Sequence, residues 1–320
     1  MTSFFVDLAD LHIISVKGEQ RRDYLHGQLT IDTKQFDTSH ARLGAHCDFK
    51  GKMWSVFNVF EANDSFYLIA HKDASQASLR ELKKYGVFSK VVIETEEKLR
   101  CIGAYGEQAA KIIKALFPQL DTSHMSLQSN EFGQCISFND ANQRYLLVLS
   151  EKGVSHLKEL AEELWVDKAD IWNALEIDAA IPSLQSPNIN EFVPQMMNLH
   201  ALNAIDFDKG CYMGQEVVAR TKFLGKNKRA LYLLTSDTSD KAAIDTDVPA
   251  GAILEKQIGD NWRRGGTVVR SAQVKSKAET CSTRILAVLS NDTEVGDVLR
   301  LKESEKEFQV QVLPYALEQA

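Results

Sequence analysis

Proline and glycine are scarce in this 320-residue chain, at six and 17 residues, so no large part of it reads as disordered. No stretch approaches the roughly 18 apolar residues of a membrane helix. The opening Met1-Thr2-Ser3-Phe4-Phe5-Val6-Asp7 lacks the basic start and apolar run of a signal peptide, and no membrane partner is expected. The five cysteines, at 47, 101, 135, 211 and 281, are odd in number and give no disulfide framework. No two have C-x-x-C spacing, so no zinc site or redox pair is written locally, and no metal is expected. These absences describe a reduced, cytoplasmic protein with free thiols. The formal net charge is −7, which repels phosphate overall, so a nucleic-acid partner needs a local basic patch.

What is present is 44% apolar and 25% charged, enough for two or three packed domains. Short strands are predicted at 4–8 and 12–16, a helix at 19–28, strands at 53–60 and 66–70 around Asn63-Asp64, and a helix capped by Asp73 and ended by Gly86. A strand at 91–93 completes an α+β unit. A second helix spans 106–117, a polar loop 121–130, strands 134–138 and 145–149, and helices 154–165 and 169–179. From 183 to 204 the chain has little period, and long irregular segments in compact domains are often functional. After Lys228 only short strands are predicted, at 229–235, 251–255, 262–269, 284–289 and 308–313, which suggests a small antiparallel barrel.

The least bland segment is Lys209-Gly210-Cys211-Tyr212-Met213-Gly214-Gln215-Glu216. Glycines at 210 and 214 let the backbone take positive φ and approach a ligand closely. A helix opening at Gln215 would put Glu216 in its first turn and Cys211 just before it, beside Lys209; both neighbours favour a thiolate. A buried cysteine in a tight turn is the other reading of these residues alone.

That segment resembles the signature of the YgfZ family of folate-binding proteins, relatives of the glycine-cleavage T-protein (aminomethyltransferase). The resemblance covers nearly the whole chain: Gly44 to Trp54 is similar to the family's early loop, and Glu81 to Lys90 to its first-domain helix and turn. Asn261-Trp262-Arg263-Arg264 and Leu313-Pro314-Tyr315 are similar to its barrel. It implies an α+β fold arranged as a T-protein-like three-domain ring: two α+β (ferredoxin-like) domains and a C-terminal antiparallel β-barrel around a central folate-binding hole. The expected division is 1–48 plus 120–225 for the folate-binding domain, 49–119 for the second and 226–320 for the barrel. The implied cofactor is tetrahydrofolate or another reduced folate. The implied role is accessory, in iron–sulfur cluster assembly or repair, and through iron–sulfur partners such as tRNA-thiolating enzymes in tRNA modification and regulation of replication initiation.

Cys211 and Lys209 are the residues expected to carry chemistry, and Trp172, Asp178, Tyr212, Gln215 and Glu216 those expected to bind folate. A pterin wants an aromatic platform and a carboxylate that accepts two parallel hydrogen bonds. By the resemblance, Trp172 matches the family's folate-contacting tryptophan and Asp178 the T-protein's pterin-binding glutamate. A core tryptophan on an amphipathic helix is the other reading of Trp172. The sequence departs from the pattern twice. Leu11 stands where other members have a second tryptophan, and Ser78 stands near the T-protein's catalytic aspartate, with Asp73 the only acid nearby. A folate-dependent C1 (aminomethyl) transferase and a tRNA-binding regulatory module remain alternatives. His46-Cys47-Asp48 is a weaker candidate, since adjacent strand residues point to opposite faces. The basic cluster Arg220, Lys222, Lys226, Lys228 and Arg229 is a solvated face or an anion site, and Arg263-Arg264 is similar.

Overall fold

A computed structural model describes residues 3–139, 143–225, 227–238, 248–275, 281–304 and 306–317. Its helices are α1 (Arg21–His26), α2 (Lys72–Gly86), α3 (Glu107–Leu116), α4 (Glu151–Ala161), α5 (Asp170–Asp178) and α6 (Gln215–Phe223). Three sheets account for the strands. A five-stranded sheet runs in the order Arg42–Cys47, Met53–Ala62, Ser65–His71, Leu11–Lys17, Val92–Thr95. A six-stranded sheet runs Trp165–Val166, Phe4–Asp7, Leu99–Tyr105, Arg144–Ser150, Gly133–Phe138, Ser126–Asn130. The closed barrel runs Arg229–Thr238, Cys281–Ser290, Asn261–Lys275, Ile253–Ile258, Val298–Leu301, Glu307–Val310 and returns to the first strand.

Local chemistry explains the hairpin at the centre of the five-stranded sheet. Asn63 and Asp64 take φ of 51° and 58°, the left-handed pair a two-residue turn requires, and asparagine and aspartate tolerate it better than most residues. The α2 cap differs from expectation. His71 accepts the Asp73 amide at 3.4 Å and is the N-cap, while the Asp73 carboxylate accepts the Ser186 amide at 3.1 Å. Ser126–Asn130, expected as a loop, is an edge strand paired to Gly133–Phe138. Its polar sequence hides it, because an edge strand need not be apolar on both faces.

The sheets divide the chain differently from the expected domains. Arg42–Cys47 pairs with Met53–Ala62, so the boundary at 48/49 falls inside a hairpin. Leu99–Tyr105 lies between Phe4–Asp7 and Arg144–Ser150, so residues assigned to the second unit complete the sheet of the first. The physical reason is long-range pairing: the first strand crosses over before the second begins, and nothing local records it. One apolar cluster joins both sheets to the barrel through α5 and includes Phe4, Ile13, Trp172, Leu175, Val269 and Leu286.

Candidate functional site

The segment before Cys211 is held by paired polar groups rather than by secondary structure. The Thr30 hydroxyl donates to the Ala204 carbonyl at 2.6 Å and accepts the Ala45 amide at 2.8 Å. Arg42 grips Asp206 with two nitrogens, each 2.7 Å from a carboxylate oxygen, and Asp206 accepts the Asp32 amide at 2.6 Å. A bidentate pair of this kind fixes orientation as well as distance. The chain then enters Lys209, whose Nζ donates to the carbonyls of His26, Leu29 and Ile31 at 2.6, 2.6 and 3.0 Å.

That arrangement corrects the expected role of Lys209. The residue is only 8% exposed, and the three donors of its ammonium are taken by three carbonyls. It clamps the Cys211 loop to the turn after α1 and has no donor left to activate a thiol. Burial pushes its amine down to about 8, against the pull of Asp32 and Asp206.

The glycines that follow are needed by close approach. Gly214 has φ 83°, and a Cβ there would lie 2.4 Å from the Asp48 carbonyl oxygen and 2.8 Å from the Gly51 Cα. A Cβ on Gly210 would lie 3.1 Å from the His26 Nε2. His26 in turn holds Asp32 through Nδ1 at 3.0 Å, an ordered pair that neither residue's sequence context had suggested. The Cys211 loop thus stacks on two turns, 26–32 and 48–51, which are distant in sequence. Between the glycines, Tyr212 is buried and Cys211 is exposed, while Cys47, Cys101, Cys135 and Cys281 are all buried. Burial pushes the Cys101 thiol up to about 12 and those of Cys47 and Cys135 higher still. Among the described residues no group of three or more His, Cys, Asp or Glu could hold a metal ion, so Cys211 stands as a single thiol.

The remaining signature residues do local work. The Gln215 side chain accepts the Tyr212 amide at 3.2 Å, and the exposed Glu216 pairs with Arg220 one turn on at 2.7 Å. Both were expected to bind folate; here they shape the start of α6.

Trp172 and Asp178 also differ from expectation. Trp172 is 1% exposed, lies against the backbone of Gly103 and has the Arg144 guanidinium 5.2 Å from its ring centroid. No face of the indole is open for stacking, because the sheet, Arg144 and the barrel cover it. Asp178 is ion-paired with Arg284 of the barrel, and burial pushes its carboxyl up despite that partner. Glu176 pairs with Arg270 at 3.0 Å and faces Arg144 at 3.6 Å. Glu176 and Asp178 therefore fasten α5 to the barrel. Leu11 packs against the same apolar cluster as Trp172.

The space beside the Cys211 loop lies elsewhere. A cavity of ≈ 370 Å³ is lined by Phe49, Trp54 and Tyr85, by Lys50, Lys52 and Lys84, by Glu81 and by Met213, two residues after Cys211. Phe49 is 72% exposed. His46 and Cys47 also line it but form no pair: the His46 Nδ1 lies 3.1 Å from the Ser78 hydroxyl, and burial pushes its imidazole down to about 3. Sequence reasoning passed over Trp54, Tyr85 and Glu81 as functional residues, since their shared cavity appears only when α2 packs on the sheet. Of the basic cluster, Arg220 is paired with Glu216 and Lys222 sits 3.8 Å from the Phe207 ring centroid. Lys226 lies outside the described residues, and Lys228 and Arg229 line a separate cavity at the barrel rim.

The two sheets and the barrel define a T-protein-like fold. A glycine cleavage system aminomethyltransferase T from Bartonella henselae matches 98% of this chain and 86% of its own, with a TM-score of 0.73 at 16% identity. A heterotetrameric sarcosine oxidase from Corynebacterium sp. U-96 gives a TM-score of 0.36 at 12% identity, over 48% of this chain and 78% of that one. The barrel is more specific: residues 227–304 match the family described as the YgfZ β-barrel domain. The C-terminal barrel thus carries the YgfZ β-barrel domain, and the chain as a whole shares the T-protein fold. Among the described residues no helix is long and apolar enough to cross a membrane.

Proposed function

We propose that this protein binds a reduced folate, tetrahydrofolate foremost, in the cavity beside the Cys211 loop, with Cys211 as its functional thiol. The observation that carries the reading is the cavity itself, where aromatic walls, three lysines and the acids Asp48 and Glu81 meet next to Met213. Trp54 and Tyr85 suit a flat pterin, and Glu81 suits its paired N–H donors. Lys50, Lys52 and Lys84 suit the carboxylates of a glutamate tail. The exposed sulfur of Cys211 stands on a loop whose backbone is held against two turns, a condition for a preorganised reactive group.

Calorimetric titration with tetrahydrofolate tests the site. Trp54→Ala should weaken binding about tenfold, whereas Trp172→Phe should leave it within twofold. The reverse result would return the pterin to α5, and no heat with the wild type would sink the folate reading. The family match supports a further step, that Cys211 serves iron–sulfur proteins, tRNA-thiolating enzymes among them. Cys211→Ser, introduced into a strain lacking the protein, should fold and fail to restore those enzymes. Full restoration would remove the thiol from the function.

A further inference from the structure

The arginines of this protein fall into two groups. Among the described residues, nine of its 13 arginines pair with a carboxylate. Arg80, Arg229, Arg263 and Arg264 have no such pair among the described residues. Arg80 is isolated on α2. Arg229 and Arg264 converge on one rim of the barrel, and the register explains how. Arg229 pairs with Ser290 on one side of strand Cys281–Ser290, while Gly266 pairs with Leu289 on the other.

These two arginines and Lys228 line a cavity of ≈ 230 Å³, together with Gly265, Gly266, Thr267, Val288 and Ser290. Among the described residues no acid lines it. Thr267 accepts from Arg264 at 3.1 Å and so orients that guanidinium. The floor is bare backbone. A Cβ on Gly266 would lie 2.5 Å from the Val288 carbonyl oxygen, and one on Gly265 3.1 Å from the Lys256 nitrogen. Gly265 is also the extra residue of a β-bulge, skipped where Leu254 pairs with Gly266 and Glu255 with Arg264. Bulged residues lose their ladder partner and recur next to binding sites.

Clustered cations repel one another, and a chain of net charge −7 has acids to spare for pairing them. Their convergence on an acid-free cavity fits an anionic ligand that offsets the repulsion. We propose that this rim cavity binds phosphate groups, with Arg229, Arg264 and Lys228 as the cationic contacts. Guanidinium forks match phosphate oxygens, and three cations exceed what a single carboxylate would neutralise. The phosphate belongs either to a free oligophosphate or to a nucleic-acid backbone.

The test uses the full chain at low salt, with inorganic pyrophosphate followed by calorimetry and a labelled 20-nucleotide RNA followed by anisotropy. The variant Arg229→Gln/Arg264→Gln should bind at least tenfold more weakly, and Arg80→Gln, which removes the same charge elsewhere, should stay within twofold. Binding of pyrophosphate alone identifies a free phosphate ligand. Binding of RNA with displacement by pyrophosphate identifies a nucleic-acid backbone, and the double variant should then lower the salt slope by about two. Thermal melting of each variant checks the fold. Should the double variant melt early, Lys228→Gln should still weaken binding about threefold. Failure of both probes, equal losses in Arg80→Gln, or tighter binding of a poly-γ-glutamate peptide than of pyrophosphate would overturn the proposal.

Discussion

Replacing Lys209 by methionine keeps the stem of the side chain and removes the ammonium that holds His26, Leu29 and Ile31. Hydrogen bonds to a charged donor contribute about 1.5–3 kcal/mol each. Against that stands the cost of burying the charge. With the amine pushed down to about 8, and at 1.36 kcal/mol per pKa unit, this cost is on the order of 3 kcal/mol at pH 7. The hydrogen bonds win, and Lys209→Met should lose about 1.5–6 kcal/mol in urea unfolding at pH 7. The pH dependence follows from the direction of the shift. Between pH 8 and about 10.5 the unfolded lysine holds a proton that the folded one has released, so the wild type gains stability with rising pH there. The variant lacks that gain, and the gap between the two proteins should widen with pH. A variant as stable as the wild type would show that the clamp does not hold the loop. A gap that narrows with pH would show that the carbonyls and the nearby Asp32 and Asp206 outweigh burial, raising the amine instead.

Other perturbations separate the thiol, the loop and the core. Cys211 should alkylate first under limited iodoacetamide at pH 7, read by mass spectrometry, because the other four cysteines are buried; labelling at equal rates would refute an exposed thiol. Saturating tetrahydrofolate should slow that labelling, and an unchanged rate would separate the folate from the thiol. Gly214→Ala should cost at least about 2 kcal/mol, since it combines a strained φ of 83° with a 2.4 Å clash against the Asp48 carbonyl; an unaltered melting curve would refute that packing. Trp172→Ala should destabilise by about 3–5 kcal/mol as a core deletion, with folate affinity per folded molecule retained. A stable variant that has lost folate would restore the binding role.

The sequence by itself determined much of the local structure and singled out one segment as a candidate site. Five of the six helices were legible from apolar period, caps and stops, and the barrel from a run of short strands after Lys228, because these signals act over a few residues. The KGCYMGQE segment was legible because glycines, a cysteine and a polar helix start stand side by side. Tertiary structure decided the rest. Which sheet takes Phe4–Asp7 or Leu99–Tyr105 depends on pairing across a hundred residues, which no local pattern encodes. Lys209 sits next to the thiol in sequence yet spends its charge on carbonyls 178 to 183 residues away. Trp172 has the same helical spacing whether it faces a ligand or a core, and only Gly103, Arg144 and the barrel around it settle that it is core. The cavities beside Cys211 and at the barrel rim exist because separate elements meet there, with charges that pair, or fail to pair, only across that contact.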